Sequence, residues 1–176
     1  MKKILIVLLF FCNFYKTFTQ DLKTHESFIR ENFSKFFKQF PNLDFDNFII
    51  ETSSEIEMND FLQFEIEEWN LYLNCSDEFI VYNPSRTFAA DFNSYGDVDQ
   101  ETKLLYVKNR SEKRIYFCGT SCRFNAAKWV NDDVLILVGT LIDYDYYDEA
   151  SDSYRINIIL MIVDLKNKTK NIFFNK

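Results

Sequence analysis

Apolar residues recur with a helical period in the front of the chain and with a period of two in the back. Between Asp21 and Phe40, the residues Ile29, Phe33, Phe36, Phe37 and Phe40 fall at spacings of 4, 3, 1 and 3. That is one stripe on an α-helix, with Arg30, Glu31, Lys35, Lys38 and Gln39 on the other face. Thr24 or Asp21 suits the N-cap, and Pro41 stops the helix. Such a stripe usually docks on the protein's own sheet; a membrane or a partner helix is its rarer use.

A second helix is predicted within residues 57–73. Leu62, Ile66, Trp69 and Leu73 recur at spacings of 4, 3 and 4, and Phe61 and Leu71 widen the stripe. Ser54 and Glu57 have capping-box spacing, while Asp60 and Gln63 offer a rival start. Glu65 and Glu68 lie three apart on one face, as a carboxylate pair or as part of a solvated helix surface.

From Glu78 onward the pattern is that of strands. Phe79-Ile80-Val81-Tyr82 closes in the turn signal Asn83-Pro84-Ser85-Arg86, and Phe88, Ala90 and Phe92 then alternate with Thr87, Ala89 and Asp91. Leu104–Val107 and Ile115–Phe117 read as a hairpin, and Phe124–Val130 leads into Val134–Val138, continuous enough to be buried on both faces. Tyr154–Asp164 and Asn171–Phe174 flank a polar turn. The expected fold is α+β: two N-terminal helices on one face of an antiparallel, meander-like sheet of about seven or eight strands. Phe33, Phe36, Phe37, Leu62, Ile66 and Trp69 are expected to bury against Ile136, Val138, Ile158 and Leu160.

Ahead of these elements, Lys2 and Lys3 precede the apolar run Ile4–Phe11, and a more polar stretch reaches Gln20. This is the layout of a secretory signal over residues 1–20, with Thr17-Phe18-Thr19 supplying a tolerable cleavage site next to Gln20. The run is too short to span a bilayer, for which about 20 apolar residues are needed. Cys12 as a lipid-modified cysteine fits poorly, because Leu9-Phe10-Phe11 stands where a small residue should precede it. The exported chain is thus one globular domain over residues 21–176, mainly helical over 21–75 and mainly β over 78–176, in the periplasm or outside the cell. Removing Lys2, Lys3 and Lys16 from the 20 bases leaves 17 against 27 acids, a net charge of −10. That surface repels nucleic acid and anionic lipid alike.

Tyr82-Asn83-Pro84-Ser85-Arg86-Thr87 with Asp91 and Ser94-Tyr95-Gly96, followed by Phe117-Cys118-Gly119-Thr120-Ser121-Cys122-Arg123-Phe124 and Trp129, resembles uncharacterised exported proteins of Bacteroidota. The similarity covers roughly the back 100 residues. It implies an exported, sheet-rich domain and assigns no catalytic residue. Ala127, Trp129, Asp132, Val138 and Gly139 also have the cadence of a β-propeller blade, but residues 78–174 have room for about two blades where closure needs four.

Candidate chemistry is sparse. Three cysteines follow the signal. Cys118 and Cys122 suit a structural disulfide, with Gly119 permitting the tight turn between them; free buried thiols and a redox or metal role are the alternatives. Cys75 is buried or pairs with one of the other two. Zinc would need a fourth ligand, and His25, the only histidine, lies in a different element. Asp143, Tyr144, Asp145, Tyr146, Tyr147, Asp148 and Glu149, with Asp152 and Tyr154 beyond, read as an acidic loop open to three uses: a solvated hairpin loop, a partner-recognition surface, or a calcium site. Asp97, Asp99 and Glu101 form a smaller loop of the same kind.

Three glycines leave no room for a glycine-rich phosphate loop, and no GxSxG elbow is present. The reading that results is a non-enzymatic exported binding module with an acidic surface, facing a protein with a basic one. An inhibitor or immunity protein for a basic toxin is one concrete version. The alternative is an extracytoplasmic hydrolase using clustered carboxylates, with or without calcium.

Overall fold

The computed structural model describes residues 22–75, 77–92 and 99–175, the side chains of Cys75 and Asp77 excepted. The signal over residues 1–20 with Cys12, the Asp21 cap, Ser94-Tyr95-Gly96, Asp97 and the pairing of Cys75 lie outside what is described.

The phenylalanine stripe becomes helix α1 (22–32), continued after one irregular residue by the single turn α2 (Ser34–Phe37). The break is at Phe33, whose φ of −114° leaves the helical region. Strand β1 (Phe48–Glu55) and the two-residue β2 (Leu62–Gln63) precede helix α3 (Ile66–Cys75). Strands β3 (Ile80–Tyr82), β4 (Phe88–Asp91), β5 (Gln100–Tyr106) and β6 (Ser111–Gly119) follow. Then come β7 (Cys122–Trp129), β8 (Val134–Asp148), β9 (Ser153–Asp164) and β10 (Thr169–Asn175).

These strands form two antiparallel sheets of five, not one sheet of seven or eight. The first has the order β1-β10-β9-β8-β7 and the second β2-β6-β5-β4-β3. Each is a four-strand meander, as the short turns predict, extended by one strand from the N-terminal part of the chain. The chain crosses from the second sheet to the first between Gly119 and Cys122.

Three hydrophobic layers fix the packing. Leu135, Leu137, Ile159, Met161 and Val163 of the first sheet meet Ala90, Leu104 and Ile115 of the second in a core between the sheets. The alternate residues of β8 and β9, Ile136, Val138, Ile158 and Leu160, face the other way and take up Leu22, Ile29, Phe33 and Phe36. Val134–Val138 is therefore buried on both faces, as its unbroken apolar run predicts. On the far side, Trp69 packs on Ile80, Ala89 and Leu105 of the second sheet. The layers run helix, sheet, sheet, helix. Placing both helices on one face is thus corrected: they cover opposite faces of a two-sheet sandwich.

The second helix also differs at its start. It begins at Ile66, and residues 48–55 form β1 by pairing with β10 from Phe48↔Asn175 to Glu55↔Thr169. Leu62 pairs with Glu112 in β2 and is exposed, as are Ile66 and Leu71. The burial expected of Leu62 and Ile66 from the helical spacing does not occur; of that set Phe33, Phe36 and Trp69 are buried and Phe37 is half-buried. Glu68 accepts from the backbone N–H of Glu65 at 3.3 Å, the returning half of a capping box. The pair Glu65 and Glu68 is therefore a helix start on an exposed face.

Candidate functional site

The acidic tyrosine segment is an arm. Strand β7 pairs with β8 only as far as Cys122↔Leu141, and β10 pairs with β9 only from Asn175↔Ile158. Beyond those limits β8 and β9 continue as a two-stranded ribbon to Asp148↔Ser153. The expected loop is thus mostly strand, with its turn confined to residues 149–152. Between Asp143↔Arg155 and Tyr147↔Tyr154 the register shifts, so residues 144–146 bulge from β8.

The bulge and the pleat sort the side chains. Tyr154 stands with its ring centroid 5.1 Å from Tyr144 and 5.2 Å from Tyr147, both edge-on, giving a cluster of three phenols. Tyr146 instead lies under the Arg155 guanidinium, 5.0 Å from its ring centroid. Tyr144, Tyr146, Tyr147, Tyr154 and Ile156 are 44–56% exposed. Large side chains at that exposure on an element flanked by no third strand make an apolar patch with a polar rim.

The carboxylates of the arm do not converge. Asp143 pairs with Arg155 at 2.8 Å and accepts from Asn157. Asp148 accepts from Ser151 Oγ at 2.9 Å and from the Ala150 backbone, which holds its carboxyl below the ordinary value. Asp152 accepts from the Tyr147 hydroxyl, and that bond pushes the phenol up. Among the described residues no group of three His, Cys, Asp or Glu side chains is arranged to hold a metal ion. The alternation of acids along the sequence suits calcium, but on a ribbon alternate residues line one face several ångströms apart instead of surrounding a point.

A second charged cluster lies on the outer face of the second sheet, and sequence reasoning missed it. Lys103 sits between Glu101 at 3.2 Å and Glu112 at 3.0 Å, and Arg114 adds a contact to Glu101 at 3.5 Å. Beside them the Tyr72 hydroxyl, brought in by α3, donates to the fully buried Asp91 at 2.5 Å. Burial and then the Asp91 charge hold the Tyr72 phenol far above its usual value. Glu101 and Glu112 each give one oxygen to Lys103, and the second oxygen of Glu112 is buried with no hydrogen-bond partner among the described residues. A signal existed: Glu101 and Lys103 are two apart, and with Leu105 they share one strand face. The acidic loop expected at Asp97, Asp99 and Glu101 is corrected for Glu101, because β5 begins at Gln100, four residues before the apolar run, and takes Glu101 into the strand. Asp99 lies at the edge of this cluster, in a pocket of about 360 Å³ shared with Arg114 and Phe117.

Cys118 and Cys122 form a disulfide with their Cα atoms 5.8 Å apart. Gly119, at φ +58°, supplies the left-handed residue of the corner where the chain changes sheets. The Asn83-Pro84-Ser85-Arg86-Thr87 turn has an architectural role too. Asn83 Nδ2 donates to the Asp132 carbonyl at 3.0 Å, and the Ser85 backbone N–H donates to Asp132 Oδ1 at 2.7 Å, tying the β3–β4 turn to the β7–β8 turn. His25 lies on α1, far in the chain from both cysteines of the bridge.

The class these features define is a two-sheet antiparallel sandwich with a helix on each outer face and a projecting tyrosine-rich arm. Among the described residues no helix is long and apolar enough to cross a membrane. No protein-family model, curated protein or solved structure matches the chain.

Proposed function

We propose that this chain is a non-enzymatic, exported binding module that grips a partner protein with the β8–β9 arm. One observation carries the reading: a ribbon projecting past both neighbouring strands displays four tyrosines and an isoleucine at roughly half exposure. A lone hairpin is marginal in water, and large exposed aromatic side chains gain most when a second surface covers them. Tyrosine gives wide contact area with few rotatable bonds, which is why it is favoured at protein interfaces.

The charge of the arm selects the partner. Asp145, Asp148, Glu149 and Asp152 ring the tyrosines, while Arg155 is already paired with Asp143. A basic protein surface complements this rim, and a second copy of the same arm would bring like charges together. The resemblance to exported Bacteroidota proteins and the expected secretory signal support a partner in the periplasm or outside the cell.

The test is a comparison of the secreted chain with its Tyr144→Ser/Tyr147→Ser/Tyr154→Ser variant, each used to retain proteins from the organism's own cell envelope. The expected result is a basic protein held by the unaltered chain, released by salt, and lost with the variant. Identical retention by both, or retention of acidic proteins alone, would refute the arm as the contact surface.

A further inference from the structure

We propose that the cleft between the β2 segment and the β5–β6 turn binds an uncharged carbohydrate. This site is separate from the arm and rests on different observations. The cleft has a volume of about 410 Å³, within the range of small-ligand pockets. Its floor is aromatic. Phe88 and Tyr106 stack at 4.9 Å with 22° between their planes, and Phe61 stands edge-on to Tyr106 at 6.4 Å. All three rings are only half-buried, so each retains an open face or edge toward the cleft.

The rim is made of amides. Asn59, Gln63 and Asn109 line the opening, and their side-chain amides make no hydrogen bond to the described residues. Each amide offers both donors and an acceptor, the pairing that a hydroxyl needs on its two sides. Of the lining residues only Asp60 is charged, and none is basic. The bordering bases lie outside the lining, and the Lys113 ammonium is already bonded to the Asn59 carbonyl, so an anion meets no base inside the cleft; a purely apolar ligand would strip water from three amides without replacing it. A sugar ring meets both requirements: its C–H face lies on an aromatic ring and its hydroxyl edge faces the amides.

The cleft is also preformed. Lys113 Nζ donates to the Asn59 carbonyl at 2.7 Å, and the Phe64 N–H donates to the Arg110 carbonyl at 2.9 Å. Leu62↔Glu112 and Gln63↔Ser111 pair its two walls as strands. Two non-glycine residues hold left-handed backbone at its lips, Asp60 at φ 57° and Arg110 at φ 52°. A site fixed in this way loses little freedom when a ligand enters.

Saturation-transfer NMR on the full secreted chain tests this, with cellotriose, maltotriose, laminaritriose, xylotriose and chitotriose as probes and a neutral tripeptide as the control. At least one trisaccharide should receive saturation on its ring protons, and the peptide none. Gln63→Ala/Asn109→Ala, which alters exposed side chains only, should weaken that binding by about tenfold; Tyr106→Ala should abolish it. The proposal is overturned if no trisaccharide responds, if the peptide responds equally, or if the Gln63→Ala/Asn109→Ala protein binds as the unaltered chain does.

Discussion

The indole N–H of Trp129 donates to the carbonyl of Val81 at 2.9 Å, joining the edge strand of one sheet to the edge strand of the other. Trp129 is buried and its ring belongs to the core between the sheets, so one side chain both fills the sandwich and fastens its margin. On another strand pair, Lys170 of β10 reaches the carbonyl of Ile115 in β6 at 2.6 Å. Trp129→Phe keeps most of the apolar contact and loses one hydrogen bond, while the Val81 carbonyl keeps its place opposite Ala90 in the β3–β4 ladder, so the change should cost about 0.5–1.5 kcal/mol. Trp129→Ala should cost about 3–5 kcal/mol. Urea denaturation of both variants measures this; a Phe variant as stable as the parent would show that the bond holds nothing.

Phe36 and Leu62 sit in predicted helical stripes of similar quality, yet one is buried and the other 61% exposed. Phe36→Ala should therefore destabilise by about 3–5 kcal/mol, since it leaves a cavity under α2. Leu62→Ala should change stability by no more than about 0.5 kcal/mol. Equal effects in chemical denaturation would mean that the two stripes are packed alike.

Gly139 faces Phe124 across the β7–β8 ladder, where β7 bulges between Phe124 and Ala126. A Cβ at position 139 would collide with the backbone of Arg123 and Phe124. Because backbone cannot yield as a flexible side chain does, Gly139→Ala should cost about 2–4 kcal/mol, at the upper end of ordinary substitutions. Thermal unfolding followed by circular dichroism decides it, with an unchanged midpoint as the contrary result.

The Cys118–Cys122 bridge closes a very short ring, and the chain-entropy relation gives about 2 kcal/mol for it. Cys118→Ser/Cys122→Ser should lower stability by about that much and leave the spectrum of the folded protein unchanged. Thiol counting on the oxidised, denatured chain prepared from Gln20 onward, which lacks Cys12, should find one free thiol, at Cys75. A mapped link from Cys75 would reject the pairing.

Stability should fall as pH rises above about 10. Burial and the Asp91 charge raise the Tyr72 phenol, and burial with Glu51 raises Tyr116, so the folded protein keeps protons that unfolded tyrosines release from about pH 10. Lys103 acts with the same sign. Burial opposes its charge, but Glu112 and Glu101 outweigh it and hold the ammonium above the ordinary lysine value. Its contribution is complete below the unfolded lysine value and is lost as pH climbs through the folded one. Lys170, lowered by burial, works in the opposite direction and relieves part of the loss. Urea midpoints at increasing pH should therefore decline, and less steeply in Tyr72→Phe. A parallel decline in that variant would remove Tyr72 from the account.

Part of the candidate surface is legible in the sequence alone. Tyr144, Tyr146 and Tyr147 interleaved with acids pointed to an exposed segment, because so many carboxylates in a short stretch resist burial. That the segment is a ribbon and not a loop was not legible, since Asp and Glu weigh against strands whatever the partner. The joining of Glu101, expected in an acidic loop, with Lys103 and Glu112 was missed for a related reason. Each charge alone reads as surface, and only the β5–β6 pairing brings the lysine between the two acids.

By itself the sequence determined the α1 stripe, the strands from β3 to β10 in their meandering order and the double burial of Val134–Val138. These depend on local periodicity and short turns, which act over a few residues. Tertiary structure alone decided that the strands divide into two sheets, that α3 covers the sheet opposite to α1, and that Phe48–Glu55 becomes a strand. Alternation marks a strand's two faces but not what covers each, and Leu135 and Ile136 carry the same apolar signal into different cores. Likewise β1 exists only because β10, more than 100 residues later, supplies its ladder. Backbone hydrogen bonds of that range leave no mark on the residues between them.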